Sequence, residues 1–136
     1  MRSNIWLVSS IALVLLGTWL AFRYPRLDVV FPEYSYPDRH MKVVSLDSAA
    51  EKKIQSLISA AKQDPEQWYA LDTFVSHLAD TSLVRHSPIN DLRYTTRIPA
   101  GSYLLFSPDK GNAFIKLLDL KSDTVLTLTM DDHVSN

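Results

Sequence analysis

Hydrophobic positions along the chain follow three successive regimes. An uncharged, mostly apolar run fills residues 5–22, a helical period governs residues 48–81, and a period of two takes over from Leu92. The first run carries no charged side chain. As a helix it would rise roughly 27 Å, close to the ~30 Å thickness of a bilayer's hydrocarbon core. Trp6 and Trp19 lie near its ends and Arg2 and Arg23 bracket it, the placement that amphipathic rings and charges take at an interface. This predicts a transmembrane helix over 5–22 behind a short tail, 1–4. A cleaved signal peptide is the rival reading, but its best cleavage point, after Ala21, puts Trp19 where a small residue is required. Arg23 and Arg26 beyond the span favour a cytoplasmic domain, whereas the short, positively charged leading tail favours the opposite side. The expectation adopted is a single pass through the inner membrane with the domain in the periplasm.

Residues 23–40 hold Pro25, Pro32 and Pro37 among Tyr24, Tyr34 and Tyr36. Prolines at this spacing forbid a continuous helix and favour a stiff, extended connector. It reads as a spacer, or alternatively as a docking strip, with Leu27–Phe31 as a short edge strand. Residues 41–136 are read as one α+β domain. Met41–Leu46 alternates weakly and predicts a strand. Ser48 and Glu51 have the spacing of a capping box, followed by Ala50, Ile54, Leu57, Ile58 and Ala61 on one helical face. Asp64 and Pro65 mark a second helix start, with Trp68, Leu71, Phe74 or Val75, and Leu78 as its stripe and an end near Thr81. Leu92–Ile98, Ser102–Phe106, Ala113–Leu120 and Thr124–Met130 alternate as strands joined by turns at 99–101, 107–112 and 121–123. The expected architecture is two amphipathic helices packed on an antiparallel β-meander.

Charge narrows the function classes. Fourteen Lys and Arg against fifteen Asp and Glu leave a net charge of −1, without the basic surplus of a nucleic-acid binder. The absence of cysteine excludes disulfides, thiolate metal sites and thiol catalysis. No nucleophile elbow, phosphate loop, dinucleotide fingerprint or His-Glu-x-x-His run occurs, so no catalytic residue, cofactor or metal site is assigned and the chain is not read as an enzyme. His77 and Asp80 share a helical face, but nothing in the spacing supplies a third ligand. The Asp131-Asp132-His133 segment reads as a fraying tail.

The strands supply the remaining signal. Tyr103 and Leu105 alternate with Leu104 and Phe106, and Phe114-Ile115-Lys116-Leu117-Leu118 is nearly as apolar on both sides. Helices cover one face of a sheet, so the second face is expected to meet a partner or an apolar ligand. Tyr103, Leu105, Phe114, Leu118, Leu126 and Leu128 are the candidate binding residues.

The stretch Ile98-Pro99-Ala100-Gly101-Ser102-Tyr103-Leu104-Leu105 is similar to a Pro-x-Gly-x-Tyr-Leu segment of ToxS-like proteins, small companions of membrane-bound transcription regulators in Gram-negative bacteria, whose layout the chain also resembles. The resemblance implies a virulence-associated accessory protein that binds its regulator's outer domain and protects it from proteolysis. It also implies a hetero-oligomer, a possible pocket for an apolar small ligand, and no catalytic residues. The function expected from the sequence is therefore a membrane-anchored accessory protein that stabilises or tunes another membrane protein. Alternatives are an assembly component of a secretion or pilus system, an apolar-ligand module, and an immunity protein.

Overall fold

The computed structural model describes residues 9–16, 24–33, 39–109 and 112–135. From Arg26 onward the described residues form a small α+β domain of two sheets and a helical layer. In chain order the elements are β1 (Arg26–Val30), β2 (His40–Ser45), α1 (Ser48–Gln63), α2 (Trp68–Ser82) and β3 (Leu83–Pro88), then β4 (Arg93–Arg97), β5 (Gly101–Asp109), β6 (Asn112–Leu120), β7 (Thr124–Thr127) and β8 (His133–Ser135). Strands β3-β2-β5-β6-β8 make a five-stranded antiparallel sheet. Strands β4-β1-β7 make a second sheet of three, antiparallel between β4 and β1 and parallel between β1 and β7.

The helix starts follow from local chemistry. Asp47 caps α1, its carboxylate accepting the Ala50 N–H at 2.7 Å. The cap thus lies one residue before the predicted Ser48, which is already helical. Asp64 accepts the Glu66 N–H at 3.1 Å and starts a 3₁₀ turn, Pro65–Gln67, that leads into α2. Ile54 and Ala61 of α1 and Trp68, Leu71 and Val75 of α2 are buried against Val44, Leu104, Phe106, Ala113, Ile115 and Val134. These are the helix-facing side chains of the large sheet. The opposite face of the same strands carries Met41, Val43, Tyr103, Leu105, Phe114 and Leu120, which pack on Leu27, Val29, Phe31, Tyr94 and Leu128 of the small sheet and its flanks. The large sheet is therefore a middle layer, buried on both faces.

Several expectations are corrected by this arrangement. The meander reduces to the β5–β6 hairpin, because β4 and β7 leave to build the second sheet. Residues 27–31 are not an edge strand: β1 is central, flanked by β4 and β7. A strand that the sequence reading lacked, β3, follows α2 directly. The Asp131-Asp132-His133 segment does not fray. Thr129 and Asp132 form a reciprocal capping box over a 3₁₀ turn, Met130–Asp132, and His133 opens β8. Asp132 also receives Lys116 Nζ at 3.0 Å, within a largely covered pair.

The predicted transmembrane helix is corrected as well. Residues 9–16 are helical, a rise of about 12 Å, and the rest of 5–22 lies outside the described residues. Among the described residues no helix is long and apolar enough to cross a membrane. The single-pass anchor and the inner-membrane location that depended on it are therefore not supported.

Candidate partner-binding cleft

The six residues expected to form a free apolar surface are placed inside the chain. Tyr103, Leu105, Phe114 and Leu128 are 1–5 % exposed, and Leu118 and Leu126 pack partly buried against the same cluster. The structure does bring them together, but as the core between the two sheets. The surplus apolar face has a physical explanation: β1, β4 and β7 pair into a second sheet that supplies the cover the helices could not.

The residues carrying the ToxS-like resemblance form the corner from β4 into β5. Tyr103 donates its hydroxyl to the Pro99 carbonyl at 2.5 Å, and a Cβ added to Gly101 would meet the Tyr103 ring at 3.7 Å. Burial pushes the Tyr103 phenol above its usual pKa, offset in part by Arg85. Tyr103 thus ties this corner to Pro99, while a side chain at position 101 would make only ordinary contact with the ring.

An open site lies where β3 and β4 part company. The chain leaves β3, turns through Asn90–Arg93 and enters β4, so that successive strands join different sheets. Asn90 and Arg93 exchange both backbone hydrogen bonds, at 3.1 and 2.9 Å. Asp91 and Leu92 have φ of 52° and 60°. These features define a type I′ turn, whose central positions favour Asn and Gly. Asp tolerates this conformation, whereas Leu adopts it at a cost of about 1–2 kcal/mol. Leu92 is held there because its side chain packs on the inter-sheet core and its carbonyl accepts the Phe31 N–H at 2.8 Å.

Beyond the turn the strands diverge around a cleft of about 410 Å³ lined by Ser87, Pro88, Asn90, Arg93, Tyr94 and Thr95. Its floor is fixed by the Ser87 hydroxyl donating to the Tyr94 hydroxyl at 3.3 Å. One wall is the open edge of β4. The ladder to β1 includes the bonds Phe31 N–H to Leu92 O and Ile98 N–H to Pro25 O. In an antiparallel pair the hydrogen-bonding direction alternates, so residues 92, 94, 96 and 98 serve β1, and the backbone groups of Thr95 point to the side on which no strand among the described residues pairs with β4.

The outward face of the small sheet adds charge. Arg26, Asp28, Arg93, Thr95 and Arg97 share that face by the strand register. Thr95 donates its hydroxyl to the Asp28 carboxylate, and Arg26 lies 3.2 Å from it. The Thr95 hydrogen bond holds Asp28 below the usual carboxylate pKa against the opposing effect of burial, with lesser help from the Arg26 and Arg93 charges. Arg97 donates to the Tyr24 carbonyl at 3.1 Å. Arg26 and Arg93 act on the one carboxylate, and Arg97 stands opposite Arg26 in the register, so cationic side chains outnumber it on this pair of strands.

A second concavity of about 490 Å³ runs between α1 and α2, lined by Lys53, Leu57, Tyr69, Ala70, Thr73, Phe74 and His77. Lys53 Nζ sits 4.7 Å from the Phe74 ring centre. Among the described residues no group of three or more His, Asp or Glu is placed to hold a metal ion, so His77 and Asp80 gain no third ligand. The β3–β4 site escaped the sequence reading because its argument rested on apolar surface. Pro88 and the Asn90-Asp91 pair were the available turn signals. Comparisons with protein-family models, curated proteins and solved structures find no match for this chain.

Proposed function

We propose that the protein is a non-enzymatic accessory subunit that binds a partner protein by accepting an extended segment along the open edge of β4, within the cleft against β3. The observation that supports this reading most is the edge itself: a strand whose Thr95 backbone groups point away from β1, beside the cleft that Thr95 helps to line. Main-chain pairing of this kind supplies affinity, and flanking side chains supply selectivity. Here Arg26, Arg93 and Arg97 favour a segment bearing carboxylates, because charge complementarity guides encounter and register. A binding role, including stabilisation of the partner, is the part of the companion-protein expectation kept in this proposal.

The test places a photo-activatable side chain at Arg93, or at exposed Gln55 on α1 as a control, in the full chain inside the cells that produce it. The proposal predicts an adduct of one defined mass from position 93, none of that mass from position 55, and loss of the adduct when Thr95→Pro is added. Proline at 95 removes an outward N–H and no β1 ladder bond, and circular dichroism checks that the fold persists. The absence of an adduct at 93, or an adduct indifferent to Thr95→Pro, would overturn it.

A second reading is favoured by the α1–α2 groove, where Leu57, Ala70 and Phe74 offer an apolar floor beside the Lys53 ammonium. An apolar small molecule bound there would raise the melting temperature in proportion to its occupancy. An unchanged melting temperature across fatty acids and bile salts excludes this reading.

A further inference from the structure

We propose that His40 and His86 form a surface site for a divalent transition-metal ion. The register pairs His40 with Pro88 and Lys42 with His86, so the two histidines stand diagonally on one face of neighbouring strands. Their ring centres are 5.5 Å apart, with the planes inclined by 60°, and both residues are exposed. A metal–imidazole bond is about 2.0–2.1 Å, and a ring centre lies roughly 1.1 Å behind its nitrogen, so each centre sits ~3.2 Å from a bound ion. Two rings meeting at a near-tetrahedral angle then have centres roughly 5.2 Å apart. The observed separation therefore lies within a few tenths of an ångström of the bridged separation; the rings meet edge to face, so binding requires these exposed side chains, on two paired strands, to turn their nitrogens toward a common point.

The ligand chemistry narrows the ion. Two imidazoles with no carboxylate or thiolate suit copper, nickel or zinc and disfavour magnesium or calcium. Among the described residues no further His, Asp or Glu completes the set, so the ion keeps open positions for water or for a donor from another molecule. Lys42 shares this face opposite His86, and its positive charge restrains affinity. Coordinating imidazoles must be unprotonated, so binding weakens on acidification. The site lies on the helix-facing side of β2 and β3 and does not depend on partner docking at β4.

Isothermal titration of the chelator-treated full chain with Cu²⁺, Ni²⁺ and Zn²⁺ alone tests the proposal. One ion per chain is expected, with copper tightest as the divalent series requires. His40→Gln or His86→Gln is expected to weaken binding roughly tenfold or more, and His77→Gln on α2 to leave it unchanged. Copper spectroscopy of the parent chain should show two imidazole nitrogens, reduced to one in either variant. Equal affinity in the parent and the His40→Gln/His86→Gln double variant would overturn the proposal, as would loss of binding in His77→Gln or no binding at millimolar copper.

Discussion

Leu104 and Leu105 are neighbours on β5 that point to opposite sides of the large sheet, one into the helical layer and one into the inter-sheet layer. They are 0 % and 1 % exposed. Truncation of either to alanine removes three carbon groups, worth about 0.8 kcal/mol each on transfer from water, or about 2.4 kcal/mol before any cavity forms. The unrelaxed cavity brings the expected loss to about 2–5 kcal/mol at each position. If Leu105 instead faced a partner, Leu105→Ala would cost little in the isolated chain, and only Leu104→Ala would be severe. Urea unfolding followed by circular dichroism, with parent and variants fitted to a common slope, measures both losses. Near-equal losses are predicted, with the melting temperature falling by about 4–8 °C per kcal/mol for a domain of this size. A Leu105→Ala loss below about 1 kcal/mol would refute the assignment of this face to the chain's own core.

Three further outcomes follow from particular contacts. At Leu92 the left-handed backbone should reverse the usual order of small residues, making Leu92→Gly more stable than Leu92→Ala by about 1 kcal/mol in the same urea assay; alanine as the more stable variant would contradict the turn geometry. His133 is held below the usual imidazole pKa of 6.5, first by burial and then by Arg39, whose guanidinium lies 5.0 Å from the centre of the Phe114 ring that His133 contacts. The unfolded chain therefore binds this proton more readily, so the contribution of His133 to stability is complete above about pH 6.5 and declines as pH falls below it. That slope should vanish in His133→Gln. Asp132→Ala removes both the cap on the Thr129 N–H, at 3.0 Å, and the Lys116 partner; a loss of about 1–2 kcal/mol is expected, and an unchanged unfolding midpoint would show that the 130–132 turn contributes nothing.

Local chemistry was legible in the sequence wherever it decided structure by itself. The stripes Ile54–Ala61 and Trp68–Val75 predicted the buried helix faces, and the alternation at Tyr103–Phe106 identified a strand with two apolar sides. The covering of the second side was not legible, since it depends on pairings distant in sequence: Leu27 with Thr124 and with Thr96. No local pattern announces a parallel partner almost a hundred residues away, and the prolines around β1 gave that segment the appearance of a spacer. Strand β3 was hidden for a different reason. None of its residues is buried, and Arg85 and His86 are exposed in succession, so Leu83–Pro88 has no hydrophobic period strong enough to read. The polar 131–133 segment looked solvated because the sequence alone did not show Lys116 or the Thr129 cap converging on Asp132. The six residues nominated as a binding surface lie instead in the core between the sheets, while the edge of β4 and the His40–His86 pair emerged only from the strand register.

The most direct test of the docking account is residue-resolved amide hydrogen exchange on the full chain alone. Tyr94 and Thr96, bonded to β1, are predicted to exchange slowly, and Thr95 between them to exchange quickly because its N–H faces the open cleft. Thr95 as protected as its neighbours would show that the edge is already occupied and would contradict strand addition at β4. Rapid exchange at all three would show that the strand offered to the partner is not formed.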